Sequence, residues 1–269
     1  MADNKNPFDF TGSFGDFCSY NNPATGKPIV CRKGGPTPEQ FKNDPNYARA
    51  RERSTEFGGR SKWSALVKKS FSDMGHLMHM RCFNQIMAAG RLIQENEPDG
   101  IHGSRTISVI NNPGALPMIE FNESHPFRNV IRVAYETLLS DDKTTVTLGI
   151  PGFVTSRDVR WLPKFYAVRI YLAIAQLADV SWNSVLGIYE PVVPDLELLS
   201  QCTVSDWMVL NSEPTDVLLK ASFEQPAFTS AGTSVIVATG VEFATSVFMG
   251  QPYVTPRSGS MAIVEYFTE

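Results

Sequence analysis

Residues 61–95 carry apolar side chains at helical spacing, and no other stretch restricts the fold as strongly. Trp63, Val67, Phe71, Met74, Met78, Cys82, Ile86, Ala89 and Ile93 recur at steps of three and four, and Leu66, Leu77 and Leu92 widen the stripe. That period predicts an amphipathic helix, or two with a bend near Gly75, ending where Asn96-Glu97-Pro98 forbids continuation. Such a stripe must lie on a sheet or another helix, because an isolated helix gains little from its own backbone.

Beyond Gly103 the period changes from helical to two. Short alternating runs at 106–110, 118–121, 130–135, 144–150, 165–175 and 185–189 are separated by Asn, Asp, Gly and Pro clusters. A second series follows at 196–203, 207–210, 217–223, 233–238, 241–249, 253–255 and 260–267. Strands at this spacing predict a sandwich or barrel. Residues 240–253 predict a hairpin turning at Met249-Gly250-Gln251, and the apolar run 261–267 predicts a strand inside a sheet. The expected fold class is α+β, mainly β. An N-terminal arm and basic lead-in (1–59) and a helical segment (60–98) precede two β-rich modules, 99–190 and 191–269.

The arm holds Phe8, Phe10, Phe14, Phe17 and Tyr20 among turn formers, so it cannot bury its own aromatics. Residues 17–20 and 28–32 predict a hairpin. Thr37, followed by Pro38 and Gln40, is a helix start with a hydroxyl at the N-cap, Pro at N1 and an N3 amide able to reach back. A second helix starts near Asn46, and Gly58-Gly59 reads as a hinge or a point of close approach. Arg49, Arg51, Arg53 and Arg60, with Lys62, Lys68 and Lys69, give residues 49–69 seven basic groups against two acidic ones.

That imbalance extends to the halves of the chain. Residues 1–100 hold 14 Lys and Arg against 11 Asp and Glu, and residues 101–269 hold 10 against 17. A basic front and an acidic body suit a subunit whose one end meets the other end of a neighbour. Cys18, Cys31, Cys82 and Cys202 form no CxxC pair, which fits reduced thiols and a cytoplasmic location. The beginning of the chain has no apolar core of a secretory signal, and the most apolar run, 167–180, is interrupted by Arg169, Gln176 and Asp179, so no membrane partner is expected.

No phosphate loop and no Gly-x-Ser-x-Gly elbow is present, and Asp141-Asp142 reads as a turn. His76, His79 and Cys82 stand at i, i+3 and i+6 of the expected helix, which could gather metal ligands, but no second Cys/His pair completes a site. No catalytic residue, cofactor or metal is assigned.

Several of these features together resemble a family of uncharacterised proteins of Bacteroidota. They are Gly12 to Gly15 in the arm, Gly26-Lys27-Pro28, Arg32-Lys33-Gly34-Gly35-Pro36-Thr37 with Gln40, and Arg49, Arg51, Glu52 and Glu56-Phe57-Gly58-Gly59. Gly240-Val241-Glu242-Phe243 and Tyr253 complete the set. The resemblance implies an N-terminal arm, a helical segment and β-sandwich-like modules, and it brings no catalytic residue with it. Cys31 and the aromatic content of the arm depart from the pattern.

The expected function is a non-enzymatic structural subunit that self-assembles into a filament, tube, ring or shell. Phe8, Phe10, Phe14, Phe17, Tyr20, Arg49, Arg51, Arg53 and Arg60 are its candidate contacts, and copies of itself or another protein its partners. One alternative is a ligand-binding module for a carbohydrate or protein, with Trp161, Trp182, Tyr189 and Trp207 as a stacking platform. Another is nucleic-acid binding through residues 49–69, the weaker reading because the excess of charge is small.

Overall fold

The computed structural model describes residues 11–268 apart from Ala24, Asp99, Leu162, Pro163, Asp195, Glu197, Leu198, Ser212 and Thr229. Phe8 and Phe10 therefore lie outside the described residues. The chain divides into two compact units, Met1–Arg51 and Glu52–Glu269.

In the first unit, β1 (Gly12–Phe14), β2 (Phe17–Asn21) and β3 (Pro28–Arg32) form an antiparallel sheet in that order. The hairpin expected from 17–20 and 28–32 is present, with Cys18 opposite Cys31. Helix α1 (Pro38–Asn43) begins with the capping box its sequence implies. Thr37 Oγ1 accepts from the Gln40 N–H at 3.2 Å, and Gln40 Oε1 accepts from the Thr37 N–H at 2.9 Å. Asp44 closes α1 and caps the next 3₁₀ turn, accepting from the Asn46 N–H at 2.9 Å.

Helix α2 (Ala48–Ser70) passes through Gly58 and Gly59 without a break, so the glycine pair is no hinge. Gly59 is instead the point of close approach. A Cβ there would come within 2.8 Å of the Tyr189 ring. After α2 come a 3₁₀ helix, Ser72–Leu77, and helix α3 (Cys82–Glu95), with the bend near Gly75. The nine residues that set the period of the expected stripe, from Trp63 to Ile93, are all buried; of the three that widen it, Leu77 is buried, Leu66 half-buried and Leu92 exposed.

The strands of the second unit are β4 (Glu136–Leu139), β5 (Thr145–Phe153), β6 (Ala167–Ala178), β7 (Val180–Asn183), β8 (Ile188–Pro191), β9 (Ser200–Val204), β10 (Met208–Val209), β11 (Thr215–Ser222), β12 (Thr233–Phe248) and β13 (Gln251–Thr268). The central sheet runs β10-β6-β12-β13, and β9 also pairs with β6. A three-stranded sheet, β11-β5-β4, and the hairpin β7-β8 stand beside it.

Strand β6 shows how the layers are made. Val168, Ile170, Leu172 and Ile174 join residues of β5, β11 and β12 in one core, between the two sheets. Tyr171, Ala173, Ala175 and Leu177 join α2, α3 and the intervening 3₁₀ helix in the other. A strand covered on both faces reads as a nearly continuous apolar run, which is how 167–178 reads. The α+β, mainly β class holds.

The pairing of β6 with β12 and with β9 crosses the division expected between residues 190 and 191. Those two stretches are therefore not separate sheets. Local alternation marks strands, but it is blind to which strands pair. The expected strands at 106–110, 118–121 and 130–135 are reduced to isolated bridges, Ile107 to Val180, Glu120 to Ala262 and Ile131 to Val159, among 3₁₀ turns and the short helix Phe127–Val130. Pro113 and Pro117 lack the N–H a ladder needs, and the buried apolar residues from Ile107 to Phe121 serve the helical layer instead, while Val130 and Ile131 join the core between the sheets.

Strand β13 is the last strand of its sheet and not an interior one. Residues 119–121 cover part of its edge: Phe121 N–H donates to Met261 O at 3.0 Å, and Ile263 N–H donates to Ile119 O at 3.1 Å. The β12–β13 hairpin turns at Met249 (φ 50°) and Gly250 (φ 79°), with Phe248 opposite Gln251. Two positive φ values are the type I′ pattern, which favours Asn-Gly. Met249 is 87% exposed, so Met249→Asn removes backbone strain and forfeits no packing. It is expected to stabilise the fold by about 0.5–1 kcal/mol, read as a higher midpoint in urea.

Candidate functional site

The largest concentration of partnered charge in the central sheet surrounds Glu242 of β12. Arg169 of β6 stands opposite it in the register. Glu242 Oε2 accepts from Arg169 Nε at 2.7 Å and from the Tyr171 hydroxyl at 2.9 Å, while Oε1 lies 3.1 Å from His76 Nε2. Burial pushes the Glu242 carboxyl up, but hydrogen bonds from His76, Arg169 and Tyr171 outweigh it and hold the group below the usual range. Burial, and then the same carboxylate, pushes the Tyr171 phenol well up. The Arg169 guanidinium lies over Tyr171 and Trp207, 5.2 and 4.5 Å from their ring centroids.

Two glycines bring His76 there. A Cβ on Gly240 would meet Met74 Cε at 2.5 Å and Leu77 Cδ1 at 2.6 Å, and one on Gly259 would meet Leu77 and Val241 O. Bare backbone at these points lets the 3₁₀ helix Ser72–Leu77 lie against β12 and β13. The His76 ring then meets Tyr171 edge-on at 5.4 Å. A shift in the β12–β13 register at Glu242 marks a bulge beside the carboxylate.

The other side of His76 faces a cleft of about 730 Å³. Lys68 and Lys69 from the end of α2, His79 and Met80 from the bend, Phe83 from the start of α3, and Arg257 from β13 help to line it. His79 and Cys82 border the same cleft, so the three residues singled out by spacing do share a neighbourhood. They do not share a helical face, because the helix is interrupted between Leu77 and Cys82. Burial pushes the Cys82 thiol up. No group of three or more metal-ligating side chains occurs among the described residues. Chemically, the arrangement fixes one imidazole between an ionised carboxylate and a basic, partly apolar cleft.

A second buried ion pair ties α2 to the loop after α3. Arg105 donates from Nε and Nη2 to the two carboxylate oxygens of Glu56, both at 2.7 Å, and the Gly103 N–H donates to Glu56 Oε1 at 2.9 Å. Tyr189 closes the same corner, its hydroxyl donating to Arg105 O at 3.0 Å. Burial pushes that phenol up to about 12.

The nominated assembly residues fall in several settings. Phe14 is opposite Phe17, which places both on one face of the N-terminal sheet, and Tyr20 is on the other. Arg49 and Arg53 are exposed. Arg51 is turned to its own unit, donating to Phe41 O at 2.6 Å and Asp44 O at 3.0 Å. Arg60 is half-buried, 5.9 Å from the centroid of the Phe57 ring.

The four residues of the supposed stacking platform do not gather. Trp161 stacks on Phe243 at 4.4 Å on the side of the central sheet that faces β5 and β11. Trp182 and Tyr189 belong with the helical layer, and Trp207 is under Arg169.

Spacing alone missed Glu242, Arg169, Glu56 and Arg105. For Arg169 and Glu242 the available signal was one opposite charge inside each of two strongly apolar runs, since a buried charge requires a partner; Glu56, in a charged helix, and Arg105, in a polar loop, carried no such signal. No helix among the described residues is long and apolar enough to cross a membrane. Compared with known proteins, the chain matches no protein-family model, no curated protein and no solved structure.

Proposed function

We propose that this chain is a non-enzymatic structural subunit that associates with copies of itself through its N-terminal sheet. The observation that carries this reading is the exposure of Phe14 (77%), Phe17 (50%) and Tyr20 (49%) on a sheet of only three strands. Rings so placed lose about 25 cal/mol of favourable transfer for each Å² of apolar surface left in water. A second copy recovers that free energy by covering them. Both outer strands of the sheet, β1 and β3, have a single neighbour among the described residues, so each presents backbone groups to another strand. The basic front and acidic remainder of the chain favour a head-to-tail contact, which propagates unless its rotation closes a ring.

Light scattering coupled to size exclusion tests this on the full chain and on the double variant Phe14→Ser/Phe17→Ser. The unaltered chain is expected to elute as an assembly. The variant is expected to fall to a lower mass with an unchanged far-ultraviolet spectrum, since neither ring belongs to a buried core. A monomer for the unaltered chain at high concentration, or an equal assembly for both, rejects the proposal.

A further inference from the structure

Self-association makes no use of the chemistry of Cys18 and Cys31 in the first unit. They are paired directly across β2 and β3, with Sγ atoms 3.0 Å apart. The register identifies the kind of pair. Lys33 N–H donates to Asp16 O and Asn22 N–H donates to Lys27 O, which makes 16/33 and 22/27 hydrogen-bonded pairs. Alternation along an antiparallel ladder then makes 18/31 another, with Cα atoms about 5.5 Å apart. A disulfide spans Cα separations of roughly 4.4–6.8 Å. The two sulfurs, 3.0 Å apart, need to close by about 1 Å to reach the length of an S–S bond.

We propose that Cys18 and Cys31 form a reversible dithiol–disulfide site that exchanges with low-molecular-weight disulfides of the glutathione class. The thiolate of one cysteine attacks a sulfur of oxidised glutathione and forms a mixed disulfide, and one glutathione thiolate leaves. The second cysteine, as thiolate, attacks the protein sulfur of that mixed bond and releases the second glutathione. One small disulfide is reduced to two thiols as the two protein thiols are oxidised to a Cys18–Cys31 bond, and the two thiol protons pass to the departing thiolates or to water.

The other two cysteines differ in ways that protect them. Cys82 is buried, and burial pushes its thiol up. The Cys202 thiol is pushed up to about 11 by burial and by Asp73. Neither supplies much thiolate at neutral pH. Cys18 and Cys31 are both half-buried and stand on adjacent strands of the three-stranded sheet, where part of each remains open to a small disulfide. The hydrogen bond from Cys18 raises the Cys31 thiol, so exchange is expected to quicken as pH rises. The covalent bond would fasten the hairpin that carries Phe17 and Tyr20, although the site itself does not depend on self-association.

The test incubates the full chain with oxidised or reduced glutathione, quenches with acid, and titrates thiols after unfolding. Oxidised glutathione is expected to lower the count from the four cysteines of the sequence to two and the intact mass by two hydrogens. A peptide map is expected to join the segment containing residue 18 to that containing residue 31, and reduced glutathione to reverse both changes. Cys31→Ser is expected to stop at a mixed glutathione disulfide on Cys18. Four thiols remaining in the unaltered chain, a stable mixed disulfide there, or a bond only between two chains would each overturn the proposal.

Discussion

Glu56→Ala is expected to lower the unfolding free energy by about 3–5 kcal/mol, the range for removing one member of a buried ion pair. The side chains of Glu56 and Arg105 are only 5% and 13% exposed. Truncation therefore leaves a guanidinium with little water and an unpaired Gly103 N–H. Urea unfolding followed by tryptophan fluorescence measures the loss, and Glu56→Gln separates charge from shape because its amide oxygen can still accept from Gly103. The pH dependence has a definite sign. Burial raises the Glu56 carboxyl, but hydrogen bonds from Arg105 and Gly103 more than offset this and leave it below its ordinary value of 4.5. A depressed folded-state value stabilises the fold at pH above that ordinary value, and the contribution is lost as pH falls through the folded value. The gap between unaltered and variant protein should thus be widest near neutrality and narrow in acid. A difference below 1 kcal/mol at neutral pH would show that the corner is not held by this pair.

Glu242→Ala is expected to cost less, about 2–3 kcal/mol. The carboxylate has more donors than Glu56, but two of them keep access to water: the side chains of Arg169 and His76 are 28% and 43% exposed. They can rehydrate when the acceptor is gone. Tyr171 is buried, and its hydroxyl, left without an acceptor, contributes most of the expected penalty. Because the Glu242 carboxyl is also held below its usual range, its contribution too is present above about pH 4.5 and lost in acid. A second consequence is local. Without Glu242 the His76 ring loses its anchor on the sheet side, so its side-chain NMR signals should broaden or shift in the variant and remain single in the unaltered protein. An unchanged His76 spectrum would mean that packing against Tyr171, and not the carboxylate, orients the ring.

The Glu242 network lay in plain view in the sequence as single charges inside two apolar runs, whereas Glu56 stands in a charged helix and Arg105 in a polar loop, and in neither case could the pairing be read there. Glu242 and Arg169 are 73 positions apart and meet only because β12 and β6 are neighbours in that register. Glu56 and Arg105 meet because Gly59 lets α2 pack on Tyr189, close to the corner where Arg105 and Tyr189 are hydrogen-bonded. The candidate cleft was partly legible, since His76, His79 and Cys82 do line it, but the helical geometry assumed for them was wrong. The spacing argument holds only for one unbroken helix, and the bend near Gly75, which the sequence also allowed, takes the form of a 3₁₀ segment and a break between Leu77 and Cys82.

What residues settled among near neighbours was readable without coordinates: the buried stripe from Trp63 to Ile93, the capping box at Thr37, the hairpins at 17–32 and 240–253, and the alternation of β6. Each depends on side chains within a few positions of one another, where period, cap chemistry and turn geometry act directly. Tertiary structure decided which strands share a sheet, that Gly58-Gly59 stays helical, and that the apolar runs near 107 and 119 serve the helical layer and not a ladder. Those outcomes rest on competition for a common core between segments far apart in the chain, and no local pattern carries that information.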